Sequence, residues 1–412
     1  MLQIPKWQLL SSLLLFPSCV NQFVLLIFSL TPLIRSACSN RALVLKAKAL
    51  LSLACGFLIM NSNNLSTNSY TITELGFSPH FRAQLSLEEL EHLQPMRIVE
   101  VQRDRLHAYG ESSVAELTVS GADSTGDFAV GDWVLADDQH RVVRALEPIS
   151  SLKRRAAGTA AVVQGIANNI DTLFIVSSCN ADFNEARLER YLALSKEANV
   201  DAVILLTKAD MCNDVTQFKH KAESLMNNIV VLVLNATDEK SRAELESWCG
   251  TGQTVALLGS SGVGKTTLMN LLTGEAAATQ GIREDDAKGK HTTTYRSMRP
   301  IKEGGWVIDT PGMRELRLHD TADGITAVFD EISDAAMRCR YSDCQHESEP
   351  GCAVQLAIDK GELDPGRLKR WRKLQREDLH NTQSVAEARK RDKQFSKSVN
   401  RVVRGKKDRR GM

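Results

Sequence analysis

The chemistry available to this sequence is concentrated in four short stretches. Gly259-Ser260-Ser261-Gly262-Val263-Gly264-Lys265-Thr266, followed by Thr267, fits the pattern G-x-x-x-x-G-K-[ST] in full. Its glycines let backbone N–H groups curl round phosphate oxygens, Lys265 can reach the β and γ phosphates, and the Thr266 hydroxyl is the expected magnesium ligand. Asp309-Thr310-Pro311-Gly312 begins 44 positions beyond Lys265. An Asp at a strand end there supplies a carboxylate to the magnesium shell, and the Gly312 amide can sense a γ-phosphate. Thr207-Lys208-Ala209-Asp210 supplies base selection. A carboxylate at Asp210 accepts two N–H groups from guanine N1 and N2, a pair adenine lacks, while the Lys208 stem lies on the purine face. The fourth stretch, Cys339-x4-Cys344-x-His346-x5-Cys352, offers three thiols and one imidazole, the ligand set of a closed structural zinc site with no position left for water.

The order of these stretches is the puzzle, because Asp210 lies 49 positions before Gly259 and the common GTPase order puts the phosphate loop first. The surrounding elements resolve it. "DTLFIVSS", "DAVILLT", "NIVVLVLNA", "TVALLG" and "GGWVIDT" are apolar runs of buried parallel strands, and "NEARLERYLALSKEAN" spaces its Leu and Ala at helical period. Strand and helix alternating in this way predict a doubly wound α/β sheet whose ligands bind at the carboxyl ends of the strands. Each motif follows such a strand, so all three loops leave one sheet edge and their order along the chain need not match their order in space. A circularly permuted GTPase domain over 160–318 is expected. The chain then runs from the D-T-P-G loop straight into the cysteine cluster, so a γ-phosphate-dependent shift at Gly312 would be passed to the C-terminal module.

Upstream, "RIVEVQ", "AELTVSG", "GDWVLAD" and "RVVRALEP" alternate in short runs between Gly, Asp and Ser turns, predicting a small OB-like barrel over 90–155. With Lys153, Arg154 and Arg155 beside it, the barrel either holds RNA or serves only as a packing domain. Downstream, residues 319–412 are read as a zinc-binding module with a basic helical tail. From Gly366 to Met412 there are 17 Lys and Arg against 5 Asp and Glu, although the whole chain of 412 residues has a net charge of only +1. With Trp371 and Phe395 interleaved, the tail is expected to bind phosphate backbones in a salt-dependent way. The fold class is thus multidomain: an N-terminal all-β barrel, a central α/β phosphate-loop domain and a C-terminal zinc and helical module. The nine cysteines are odd in number and the six outside the cluster are scattered singly with no framework spacing, so a disulfide scaffold is not expected. Residues 1–68 stand apart. Between Lys6 and Arg35 lie 28 uncharged residues, interrupted by Pro17 and Pro32 and diluted with Ser, Asn and Gln. They read as an extension upstream of a start at Met60 rather than as a membrane anchor, and a cytoplasmic protein without membrane association is expected.

The barrel, T-K-A-D, G-S-S-G-V-G-K-T-T, "GKHTTT", D-T-P-G-M-R-E and the Cys-His cluster together resemble the circularly permuted GTPases of the RsgA (YjeQ) type from Gly76 to the C-terminus. The resemblance implies GTP hydrolysis stimulated by the small ribosomal subunit, structural zinc, rRNA contact and late subunit maturation by a monomer cycling between GTP and GDP. Two departures stand out: Lys290 where the family usually has Arg, and Asn235-Ala236 where it often has Ser-Ala. "KGKHTTT" occupies a switch-loop position, where Thr292, Thr293 or Thr294 could complete the magnesium shell. The position after D-T-P-G holds Met313, whose thioether cannot orient an attacking water, so His291 is expected to do so once a partner orders the loop. An RNA-binding scaffold with a structural nucleotide site and a membrane-tethered regulator are the competing readings.

Overall fold

The computed structural model describes residues 69–119, 124–155, 163–275, 297–309 and 321–382. Thirteen strands and eight helices carry the argument. The strands are β1 (Gln94–Val101), β2 (Leu106–Gly110), β3 (Ser113–Leu117), β4 (Trp133–Ala136), β5 (Val142–Ala145), β6 (Ser151–Arg155), β7 (Val163–Asn168), β8 (Thr172–Ser178), β9 (Asp201–Thr207), β10 (Val230–Val233), β11 (Thr254–Gly259), β12 (Ser297–Pro300) and β13 (Trp306–Asp309). The helices are α1 (Leu87–His92), α2 (Glu185–Glu197), α3 (Val215–Glu223), α4 (Lys265–Thr273), α5 (Ala322–Val328), α6 (Asp330–Met337), α7 (Ala353–Asp359) and α8 over 365–382.

The central sheet runs β10-β9-β8-β11-β13-β12, parallel except for β12, which is antiparallel to β13. β8 and β11 are buried at every position and carry unbroken apolar runs, Leu173–Val176 and Val255–Leu258, as parallel strands covered by helices must. β1 continues the same sheet through its pairing with β12 at Glu100↔Ser297. Around β1 the antiparallel order is β3-β2-β1-β4-β5, and a parallel bridge between Thr118 and Arg141 joins the two ends. Thr118 donates its N–H to the His140 carbonyl at 2.9 Å and accepts from Val142 at 3.0 Å. Five strands closed in this order make the OB-like barrel, whose interior holds Met96, Ile98, Leu106, Ala108, Leu117, Phe128 and Val134.

Arg97 fixes the barrel to the sheet. It points out of the barrel and is only 2 % exposed. Its guanidinium donates to the Leu75 carbonyl at 2.5 Å, the Asn169 carbonyl at 3.0 Å and the Thr254 hydroxyl at 2.8 Å. A buried charge is tolerable only with such partners. The segment before the barrel belongs to the same assembly, since the Trp306 indole N–H donates to the Glu74 carbonyl at 2.7 Å and Tyr70 packs edge-on to that ring.

The basic run Lys153-Arg154-Arg155 does not border the barrel as a free flank. It forms β6, which pairs with β7 in a separate two-stranded sheet, with Arg154 opposite Gln164. The basic helix is also put to a different use. α8 lies against α2, with Glu189, fully buried, accepting from Arg367 at 3.0 Å and from Arg370 at 2.8 Å. Glu185 pairs with Arg370 at 3.1 Å, and Arg190 with Glu377 at 2.6 Å. Trp371 is buried with its ring 5.7 Å from that of His346, so it packs beside the cysteine cluster and offers no platform for a base. Lys369, Lys373 and Arg376 are the exposed cations of this helix. α5 crosses α2 so closely that a Cβ on Gly324 would sit 2.1 Å from the Ala193 carbonyl oxygen. Only glycine fits there. Among the described residues no helix is long and apolar enough to cross a membrane. Residues 1–68, and with them the expectations placed on the apolar extension and on Met60, lie outside the described residues.

Candidate nucleotide site and metal cluster

Because the five central strands are parallel, their carboxyl ends form one edge, where β9, β11 and β13 end at Thr207, Gly259 and Asp309. β11 pairs with β13 on one side, Ala256 opposite Ile308, and with β8 on the other, Gly259 opposite Val176. β9 lies one strand further, Val203 opposite Phe174. The permuted chain order thus coexists with an unbroken spatial arrangement.

The phosphate loop is shaped by its neighbours. A Cβ on Gly259 would meet the Val176 carbonyl oxygen at 2.3 Å, so the strand can end there only as glycine. Gly262 and Gly264 have φ of 77° and 99°, a region where side chains are strained, and Gly264 opens α4. Lys265 in the first turn donates to the Gly259 carbonyl at 2.8 Å and to that of Ser260 at 2.5 Å, which sets its ammonium across the loop's mouth. Ser261, Gly262 and Thr266 are exposed at that mouth, Thr267 is partly covered, and Val263 is anchored in the core. A helix start preceded by a glycine-rich turn is the form an anion site takes.

Asp309 ends β13 at the edge beside the loop. Burial raises its carboxyl above the usual range, while Arg299 and Lys265 pull it back down. A carboxylate in this position is suited to a hard divalent cation, and with the Thr266 hydroxyl it fits magnesium carried in with a nucleotide. Thr310, Pro311 and Gly312 lie outside the described residues, as do His291, Thr292, Thr293, Thr294 and Met313.

Thr207 has a role that its motif does not reveal. Its hydroxyl, buried at the end of β9, lies 2.5 Å from the Val263 carbonyl oxygen and 3.1 Å from that of Ser177. With one hydrogen it serves one of them at a time: the Val263 bond braces the end of β9 against the phosphate loop, and the Ser177 bond ties it to β8. Lys208 then takes φ 57° and ψ 33°, a left-handed conformation uncommon outside glycine, and turns the chain sharply outward. Ala209 follows in the turn and Asp210 is exposed at its tip, free to meet a base. Asn235-Ala236 emerges from the adjacent strand β10. The Asn235 side chain accepts from Thr237 N–H at 3.1 Å and from its hydroxyl at 2.7 Å, while its backbone N–H donates to Ser241 Oγ at 3.2 Å and its carbonyl accepts from Asp238 N–H at 2.9 Å.

Arg187 is the residue the motifs do not contain. Projecting from the first turn of α2, it donates to the Ser260 hydroxyl within the phosphate loop and to the Asp182 carboxylate at 3.0 Å. A cation in a first helical turn opposes the helix dipole. That local conflict is the signal in the sequence that could have marked it.

The ligand atoms of Cys339, Cys344, His346 and Cys352 lie within 4.8 Å of one another. Cys339 Sγ is 3.5 Å and Cys352 Sγ 3.6 Å from His346 Nδ1, and the two sulfurs are 3.9 Å apart. A tetrahedral zinc with ordinary bond lengths demands S···S edges of about 3.8 Å and S···N edges of about 3.6 Å. The donor set fits. His346 is held at φ 59°, and its carbonyl accepts from the Gln355 side chain. Cys352 caps α7, its sulfur accepting from Gln355 N–H at 3.4 Å.

A phosphate loop, a strand-end Asp and a T-K-A-D turn on one edge of a parallel sheet, in permuted chain order, define a phosphate-loop GTPase domain. The sequence profile of the RsgA GTPase family matches residues 146–319. Small ribosomal subunit biogenesis GTPase RsgA 2 of Vibrio vulnificus is 48% identical over 338 residues, covering 82% of this chain and 96% of that protein. Its counterpart in Mesorhizobium japonicum, small ribosomal subunit biogenesis GTPase RsgA, is 50% identical over 323 residues, covering 77% and 93%. The crystal structure of YjeQ from Thermotoga maritima superposes with a TM-score of 0.52 at 20% identity over 68% of this chain and 97% of that one, showing a shared fold. The chain belongs to the RsgA GTPase family.

Proposed function

We propose that this protein binds the small ribosomal subunit and hydrolyses GTP to GDP and phosphate during late subunit maturation. The observation carrying this reading is that the strands leading into the three nucleotide motifs, β9, β11 and β13, end on one sheet edge, in a chain that matches relatives named for small-subunit biogenesis over nearly their whole length. Thr207 through Asp210 select guanine, with Thr207 acting as the brace. Gly259 through Thr267 cradle the phosphates, Asp309 and Thr266 hold magnesium, and the Gly312 amide reads the γ-phosphate. Magnesium, when bound with GTP, neutralises charge on the β and γ oxygens. His291 orients the attacking water once the subunit has ordered its loop. One zinc ion closes the Cys339, Cys344, His346 and Cys352 cluster and stabilises the C-terminal module. The basic hairpin β6–β7, the exposed cations of α8 and the tail beyond it contact rRNA. The protein acts as a cytoplasmic monomer.

The deciding experiment is steady-state hydrolysis of GTP and ATP in parallel, with and without purified small subunits. Turnover of GTP should be slow alone and rise at least about tenfold with subunits, and ATP should not be turned over. Unchanged GTP turnover would instead favour an RNA-binding scaffold with a structural nucleotide site. In the same protein, Asp210→Ala should weaken GDP about 10- to 100-fold, the worth of hydrogen bonds to a charged acceptor. Calorimetry giving the same GDP affinity for variant and wild type would remove guanine selection from Asp210.

A further inference from the structure

Arg187 stands where its own helix disfavours it, so its position calls for another cause. Asn184 caps the first turn of α2 and accepts the Arg187 N–H at 3.0 Å, fixing the backbone from which the side chain leaves. The Arg187 side chain is two-thirds covered. One nitrogen, Nη1, donates both to the Asp182 carboxylate and to the Ser260 hydroxyl. A single cation thus ties the loop after β8 to the second residue of the phosphate loop.

We propose that Arg187 is a positioning residue for phosphoryl transfer. Acting through Ser260, it holds the phosphate loop in the curl that aims its N–H groups at the γ-phosphate, and Asp182 fixes the guanidinium in that orientation. The proposal rests on the reading of this loop as a GTP site. Without the tether the loop keeps its glycines, Lys265 and the N-terminus of α4, so it still binds GDP. It also samples curls that misplace the γ-phosphoryl group, and displacements near 1 Å cost reaction rate on the order of a hundredfold.

The test compares wild type, Arg187→Ala, Arg187→Lys, Ser260→Ala and the Arg187→Ala/Ser260→Ala double variant. Single-turnover GTP hydrolysis, KM, GDP affinity and thermal melting are measured for each. Arg187→Ala should lower the rate about 10- to 100-fold while GDP affinity stays within about threefold. Arg187→Lys keeps the charge but loses the fork and should recover part of the rate. Ser260→Ala should reproduce the loss, and the double variant should be no slower than either single one, because both remove the same contact. Losses that multiply in the double variant, or a full rate in Ser260→Ala, would show that Arg187 does not act through Ser260 and overturn the proposal. If Arg187→Ala does not fold, the same comparison runs between Arg187→Lys and Ser260→Ala. An unaltered protein that binds no GDP would instead bring down the nucleotide reading itself, and the proposal with it.

Discussion

Replacing Arg367 by alanine is expected to lower the unfolding free energy by about 3–5 kcal/mol, the usual cost of breaking a buried ion pair from one side. Arg367 is 8 % exposed and its partner Glu189 is 0 % exposed. The guanidinium also donates to the Leu225 and Val328 carbonyls, both at 2.8 Å, pairs with Glu331, and lies over the Phe329 ring at 4.7 Å. Its loss leaves two carbonyls unpaired and Glu189 dependent on Arg370 alone. Urea unfolding should show a lower midpoint at an unchanged slope. Burial raises the Glu189 carboxyl, and Arg370 and Arg367 draw it back down, so in the variant it rises further. A carboxyl with a folded pKa above its unfolded value destabilises as pH climbs between the two. The deficit should therefore shrink on acidification towards the ordinary glutamate range. A companion Glu189→Leu change in the Arg367→Ala background should restore part of the stability. An unfolding free energy within about 0.5 kcal/mol of wild type would mean that α8 is not held by this pair.

Stripping metal from the protein is expected to have the larger effect. A closed site of three thiolates and one imidazole couples on the order of 10–16 kcal/mol of binding to the folding of its module. The ring of Trp371 lies beside that of His346, and α7 begins at Cys352, so the ligands also support the packing around them. Incubation with a strong chelator should expose Trp371 to solvent, seen as a red-shifted emission, and open Arg338 and Arg340 to trypsin. Zinc should restore both. Cys352→Ser should behave as chelated wild type does. Protein that contains no zinc by elemental analysis and melts identically with and without chelator would contradict the assignment.

The parts of this architecture written in local pattern were legible beforehand. β8, β9, β11 and β13 announce themselves as apolar runs because a parallel strand between helices has no wet face, and the phosphate loop, T-K-A-D turn and cysteine spacing follow from chemistry within a few residues. β2 (LHAYG) and β12 (SMRP) carried no such mark: each is short and half polar, and β12 ends in proline. The basic stretches were harder still. Lys153 to Arg155 looks like a free flank until β7 pairs with it, and Arg367 looks solvated until Glu189, 178 positions away, is brought against it. Charge runs reveal composition but not partners. The same limit hid Arg187, whose significance depends on Ser260, 73 positions downstream.

The three bonds of Arg97 determine where a pull on the barrel is felt. One of them ends on Thr254, the first residue of β11, and the last residue of that six-residue strand is Gly259. An extended strand transmits tension along its axis with little give. Any displacement of the barrel is therefore loaded onto the foot of β11, and the far end of that strand is where the phosphate loop begins.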